Sequence, residues 1–233
     1  MGQTEELKEL LRQNGTEIDR TGLEIKKEDD ALVLTDGRMT LSCDFTHMIP
    51  RIKQGRLQSE LIVRAAKIKG IEDDLTAVDA TAGFGEDSLL LAAAGFSVIL
   101  YEYDPVIAAL LRDGLRRAAD IPELSEAVGR MKLREENSIT AIQKMNEPPD
   151  VIYLDPMFPE RQKSGLIKKK FQLLQQLERP CEDEGALVRA AYDAGPRKIV
   201  IKRPLKAASL ADIKPSYSIK GKSIRYDCIV IPR

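Results

Sequence analysis

The chain has 233 residues, 43% hydrophobic and 31% charged, with 36 basic against 37 acidic side chains and a net charge of −1. That length supports one full core with a small appendage, and the charge balance confines any nucleic-acid surface to a local patch. One histidine, His47, and three scattered cysteines, Cys43, Cys181 and Cys228, exclude a His-based zinc site and a disulfide framework and are those expected of a reduced, cytoplasmic protein.

The first stretch, MGQTEELKEL, is charged and is read as no secretory signal. No apolar run reaches membrane-spanning length. Residues 4–13 repeat Leu at helical spacing and predict a short amphipathic helix. Residues 22–46 alternate apolar and polar side chains, with Asp36-Gly37 as a hairpin signal, and predict two or three antiparallel strands. Residues 47–60 read as a basic loop in which Arg51, Lys53 and Arg56 cluster around Gly55. His47 reads as a structural or surface side chain. A helix over 57–69 is stopped by Gly70.

From Leu75 the pattern alternates strand and helix, which predicts a parallel sheet covered on both faces. Strands are expected at 76–80, 97–104, 131–136, 150–157 and 197–204. Helices are expected at 86–94, from Asp104-Pro105 to about 119, at 138–145, 164–178 and 183–194. Asp104 is a cap and Pro105 suits a first helical position. The last stretch, SYSIKGKSIRYDCIVIPR, reads as an antiparallel hairpin.

The stretch AVDATAGFGED, residues 77–87, is a strand, a glycine turn and a helix start. Gly83 and Gly85 supply backbone angles closed to other residues, and the turn is expected to present N–H groups to a nucleotide-like ligand. The dinucleotide fingerprint is unmet, because Ser88 and Leu89 stand where a third glycine would fall. What is present, Asp79-x-x-x-Gly83-x-Gly85, resembles the first motif of class I S-adenosylmethionine (SAM) methyltransferases. Glu102, 23 residues after Asp79, ends the next strand, where an acid can accept from ribose hydroxyls. Tyr103 can pack beside the adenosine. Asn137-Ser138 ends the third strand, reading either as a helix cap or as a contact to the adenine edge.

Asp155-Pro156-Met157-Phe158 ends the fourth strand and resembles the [D/N/S]-P-P-[Y/F/W] motif of enzymes that methylate exocyclic base amines, with Met157 in place of the second proline. An aryl amine is a poor nucleophile because its lone pair is spread into the ring. An acceptor side chain and a backbone carbonyl can hold its hydrogens and aim the lone pair, while an aromatic ring clamps an extruded base. Two basic stretches flank this motif: Arg161, Lys163, Lys168, Lys169 and Lys170, and then Arg197, Lys198, Lys202, Arg203 and Lys206. They are read as lying where an RNA backbone would run.

Together, DATAGFGEDSLLLAAAGFSVILYEYDPVIAALLRDGLRRA, VIYLDPMFPERQKSGLIKKK and KIVIKRP resemble the ribosomal RNA small-subunit methyltransferase J family over most of residues 57–233. The resemblance implies SAM-dependent methylation of the N2 amine of one guanine in 16S rRNA, on the rRNA or the 30S subunit, without a metal or a membrane. It implies SAM contacts from Glu86, Asp87, Glu102, Tyr103, Asn137, Ser138 and Asp155, although the family carries arginine in the places of Glu86 and Tyr103. With Asp79, Gly83 and Gly85 these make the expected cofactor site, and Asp155, Pro156 and Phe158 the expected catalytic set. The expected fold is α/β: a class I (Rossmann-like) doubly wound sheet over 57–233 with a C-terminal antiparallel hairpin, and a small N-terminal α+β lobe over 1–56. A base-amine methyltransferase of another RNA or of DNA, a non-catalytic ribosome-assembly factor and a nicotinamide-dependent oxidoreductase stay open at this point.

Overall fold

The structure is a computed structural model that describes residues 23–71, 75–156 and 183–232. The helices expected at 4–13 and 164–178, Met157, Phe158, Cys181 and the basic run from Arg161 to Lys170 lie outside the described residues.

The alternating stretch after residue 22 forms three short antiparallel strands, β1 (Glu24–Glu28), β2 (Ala31–Thr35) and β3 (Thr40–Leu41). The basic stretch that reads as a loop is instead a 3₁₀ turn, a four-residue helix α1 (Ile49–Ile52) and a second 3₁₀ turn (Leu57–Ser59). The helix expected over 57–69 shrinks to α2 (Leu61–Ala66), because Glu60 and Lys67 take extended backbone angles, ψ 131° and 129°. Arg51 is not offered to a ligand: its guanidinium grips Glu60 through Nε at 2.9 Å and Nη2 at 2.7 Å.

The alternating half forms one seven-stranded sheet of β4 (Thr76–Asp79), β5 (Ser97–Tyr101), β6 (Met131–Arg134), β7 (Val151–Leu154), β8 (Lys198–Pro204), β9 (Tyr217–Lys220) and β10 (Ile224–Val230). Its order is β6-β5-β4-β7-β8-β10-β9. The first five run parallel, and β10 enters antiparallel between β8 and β9. The helices are α3 (Glu86–Ala93), α4 (Pro105–Ala119), α5 (Pro122–Gly129), α6 (Ser138–Gln143) and α7 (Glu184–Asp193). Asp104 caps α4 as expected, accepting from Val106 N at 2.9 Å and Ile107 N at 3.0 Å. Helix α5 was not anticipated; Pro122 starts it, and Leu124, Ala127 and Val128 give it a buried stripe.

Side chains alternate across the sheet with the strand period of two. Val78, Ile152, Leu154, Ile199 and Ile201 join Leu187 and Val188 of α7 on one face. Ala77, Val98, Leu100, Val151, Tyr153, Val200 and Tyr226 join Leu89 to Leu91 of α3 and Leu110 and Leu111 of α4 on the other. The described N-terminal strands and the 3₁₀ turn after them share this second core through Leu34, Phe45 and Met48. They are also pinned to α4. Leu32 N donates to Asp113 Oδ2 at 2.9 Å, Arg116 pairs with Asp30 at 3.0 Å, and Arg117 donates to the carbonyl of Cys43.

Candidate active site

The carboxyl ends of β4, β5, β7 and β8 lie side by side, so the residues that follow them converge on one edge. Gly83 and Gly85 take φ of +53° and +71°, which turns the chain from β4 into α3. The turn's amides are largely spent on the protein itself, contrary to the expectation of a bare N–H cradle. Thr81 N donates to Asp79 Oδ1 at 3.0 Å, Ala82 N to the Tyr101 carbonyl at 3.1 Å and Gly83 N to Glu102 Oε2 at 2.9 Å. Gly85 N donates to the Ala82 carbonyl at 2.8 Å. A ligand would therefore meet a shaped loop rather than a ring of open donors.

Asp79 is 1% exposed. Its second oxygen accepts from Ser88 Oγ at 2.7 Å, so its carboxyl ties the turn to the first helical residues from below. Burial pushes its pKa from an ordinary 3.8 up to about 7, against the pull of the Ser88 hydroxyl and the Thr81 amide. A folded-state value above the unfolded one means that the folded protein holds the proton more tightly. The stability from this group is present in full below about pH 4 and is lost as pH rises through about 7. Asp79→Asn keeps an acceptor for Thr81 and does not titrate. Its Tm should be flatter than that of the native protein across this interval, and parallel Tm–pH curves would refute the assignment.

Glu102 bridges two motifs, accepting from Gly83 N and, at 2.8 Å, from Asp104 N. Tyr103 beside it is 73% exposed. A Cβ built on Gly83 meets nothing within 4 Å, so the space above the turn is open to a ligand. An acid at the strand end, an exposed ring and an open glycine turn on one edge fit the adenosine half of SAM. Asn137 behaves as a cap for α6, accepting from Thr140 N at 3.2 Å, with Ser138 as the first helical residue. Both follow β6 on the same edge. Glu86 faces the 3₁₀ turn after the N-terminal strands, where His47 Nε2 lies 3.1 Å from its Oε1, and both side chains are about half exposed.

Asp155 is held against the glycine turn by its backbone, whose N–H donates to Thr81 Oγ1 at 2.7 Å. Its carboxylate lies 3.0 Å from Lys202 Nζ, which is also 2.7 Å from Asp87 Oδ2. Tyr153 donates its hydroxyl to the same Asp87 oxygen at 2.6 Å. Pro156 follows and is buried. The sequence placed Lys202 in an RNA-facing stretch; the structure turns it inward. Neighbouring cations are likewise engaged. Lys198 donates to the carbonyls of Ala65 and Lys67, Arg197 pairs with Asp150 at 2.9 Å and Arg203 donates to the Ala208 carbonyl at 3.0 Å. Arg197 and Lys198 also stand at the start of β8, away from this edge. Of that stretch, Lys206 is exposed.

The sequence reading missed Thr81, Tyr153 and Lys202 as site residues. One signal was available: alternation along KIVIKRP puts Lys202 in phase with Val200, on the face that α3 covers. Among the described residues no three His, Cys, Asp or Glu side chains form a group that could hold a metal ion, and no helix is long and apolar enough to cross a membrane.

The sequence matches the family described as "Putative SAM-dependent methyltransferase" over residues 8–231. It is 41% identical over 204 residues to ribosomal RNA small subunit methyltransferase J of Thioalkalivibrio sulfidiphilus, covering 86% of this chain and 80% of that one. A relative of the same name from Stutzerimonas stutzeri is 46% identical over 165 residues, covering 70% of this chain and 64% of its own length. The crystal structure of a SAM-dependent methyltransferase from Neisseria gonorrhoeae superposes with a TM-score of 0.74 at 29% identity, covering 99% of this chain and 94% of that one. An rRNA methyltransferase from Streptomyces viridochromogenes shares the fold, with a TM-score of 0.50 at 17% identity over 75% of this chain and 84% of that one.

Proposed function

Because the chain belongs to the SAM-dependent methyltransferase family, with relatives named ribosomal RNA small subunit methyltransferase J, we propose that it methylates the exocyclic N2 amine of one guanine in small-subunit rRNA. The observation that carries this reading is the bond from Asp155 N to Thr81 Oγ1, which fastens the amine-acceptor motif to the cofactor turn. SAM, when bound, supplies a methyl group activated on a sulfonium.

In this reading Glu102 accepts from the ribose hydroxyls, Tyr103 packs beside the adenosine, and Asn137 and Ser138 approach the adenine edge. Glu86 and Asp87 flank the methionine end at the start of α3, and Asp79, Gly83 and Gly85 shape the turn. Asp155 accepts one hydrogen of the guanine amine and the Pro156 carbonyl accepts the other, which directs the lone pair along the line of displacement. Phe158 stacks on the base. As the amine gains its fourth substituent, positive charge develops beside the Asp155 carboxylate, which stabilises it and takes up the released proton. Catalysis of this kind comes from positioning and from preorganised charge. The protein acts in the cytoplasm, on rRNA or on the 30S subunit.

The test incubates the purified protein with radiolabelled SAM and small ribosomal subunits, or naked 16S rRNA, from a strain lacking its gene. Digestion should place the label in N2-methylguanosine. Label in another nucleoside would replace the guanine, label in DNA alone would replace the acceptor, and SAM binding without label would favour a non-catalytic assembly factor.

A further inference from the structure

Lys202 stands at the meeting point of three elements. Its ammonium, on a side chain 19% exposed, touches Asp87 in the first turn of α3 and Asp155 after β7, while its own backbone belongs to β8. Those two aspartate side chains are 18% and 17% exposed, so solvent screens this trio far less than a surface ion pair. Tyr153 fixes Asp87 from the floor of the site. Asp79 lies buried near Asp87 and Asp155, Tyr226 of β10 packs on Tyr153 with ring centroids 6.4 Å apart, and Arg51 of α1 acts on the group from the N-terminal side. Three carboxyl groups and two phenols thus share a small volume with one close cation. Burial lowers the affinity of Lys202 for its proton, but the two flanking carboxylates outweigh burial and keep it charged.

We infer that Lys202 is a positioning residue for methyl transfer, holding Asp155 as an oriented carboxylate and locking it to the cofactor helix through Asp87. The inference rests on the role proposed for Asp155. The amine acceptor must be ionised and must point along one direction. An ion pair favours the charged form of a carboxylate and fixes its direction. Lys202 makes that pair at 3.0 Å from one oxygen, and its second contact, at 2.7 Å to Asp87, couples the acceptor to the helix beside the cofactor.

The experiment compares native protein with Lys202→Met and Lys202→Arg, reading kcat, KM for SAM and Tm with 16S rRNA as substrate. Lys202→Met should lose about 10- to 100-fold in kcat, the scale seen when an outer partner of a site group is removed, while KM for SAM stays near native. Lys202→Arg, which keeps the charge between the two carboxylates, should restore most of kcat. A purely structural lysine would lower Tm and leave the kcat of the folded enzyme native, and that result would overturn the inference. So would equal losses of kcat in Lys202→Met and Lys202→Arg at native Tm. If Lys202→Met fails to fold, Lys202→Gln, which keeps a hydrogen-bond donor for the two carboxylates and loses the charge, takes its place. Low kcat is then expected, and native kcat would again overturn the inference. Full activity of Asp155→Ala, run alongside, would mean instead that the role given to Asp155 is wrong, and the role of Lys202 would fall with it.

Discussion

Replacing Asp155 with alanine is expected to lower kcat for methyl transfer by roughly 10²–10³-fold, the range found when one preorganised group facing developing charge is removed. Tm should move little, for two reasons visible in the structure. The bond from Asp155 N to Thr81 Oγ1 is made by the backbone and survives the change. Lys202 keeps Asp87 at 2.7 Å, so no buried cation is left alone. Asp155→Asn retains an acceptor oxygen but not the charge, and should fall between the two. Single-turnover rates with labelled SAM, paired with a thermal melt and a SAM titration, separate chemistry from folding and cofactor binding. A variant that binds SAM, melts like the native protein and still methylates at the native rate would remove Asp155 from the mechanism.

Gly114→Ala tests a joint rather than the chemistry. In an ordinary helix interior the exchange stabilises by about 1 kcal/mol, because glycine is the poorer helix former. Here the new Cβ would lie 2.5 Å from Sγ, 2.8 Å from Cβ and 3.0 Å from the carbonyl oxygen of Cys43. Overpacking of a filled core costs about 1–3 kcal/mol. The upper part of that range applies, since the segment at Cys43 is backbone held by Arg117 and cannot retreat freely. The clash should therefore outweigh propensity, giving a net loss of about 1–2 kcal/mol on those two figures. Urea unfolding measures it, and hydrogen exchange should show the weakening concentrated in residues 23–48. A gain in stability would mean that the N-terminal strands yield without cost.

Strand, glycine turn and helix over 76–93 were legible because each step has a local cause: apolar alternation, positive-φ glycines and a run of Leu. The Asp104-Pro105 start and the final hairpin were legible for the same reason. Helix α5 was not, since its eight residues follow α4 almost at once and Ile121-Pro122 resembles an ending as much as a beginning. Charge type says nothing of direction. Lys198, Lys202 and Arg203 read as a basic surface but turn inward, because strand period and neighbouring strands decide where each points. Asp79 reads as a ligand-facing acid, yet its carboxyl is spent on Thr81 and Ser88. Partners as distant in sequence as Asp87, Asp155 and Lys202 meet only when the sheet forms, so no local pattern announces their cluster.

The order of the sheet sets a timetable for synthesis. Strand β10 is the last to be translated, yet it lies inside, between β8 and β9. While residues up to Lys220 are on hand, β9 has no strand to pair with and β8 presents an open edge. A nascent chain can build the parallel half early but must wait for Ile224–Val230 before the sheet closes. Tyr226, on that same strand, packs on Tyr153, whose hydroxyl donates to Asp87. Completion of the sheet beside the candidate site thus coincides with the end of translation of this region, and a chain stopped before residue 224 would carry every sequence motif of the site but an unfinished, aggregation-prone sheet.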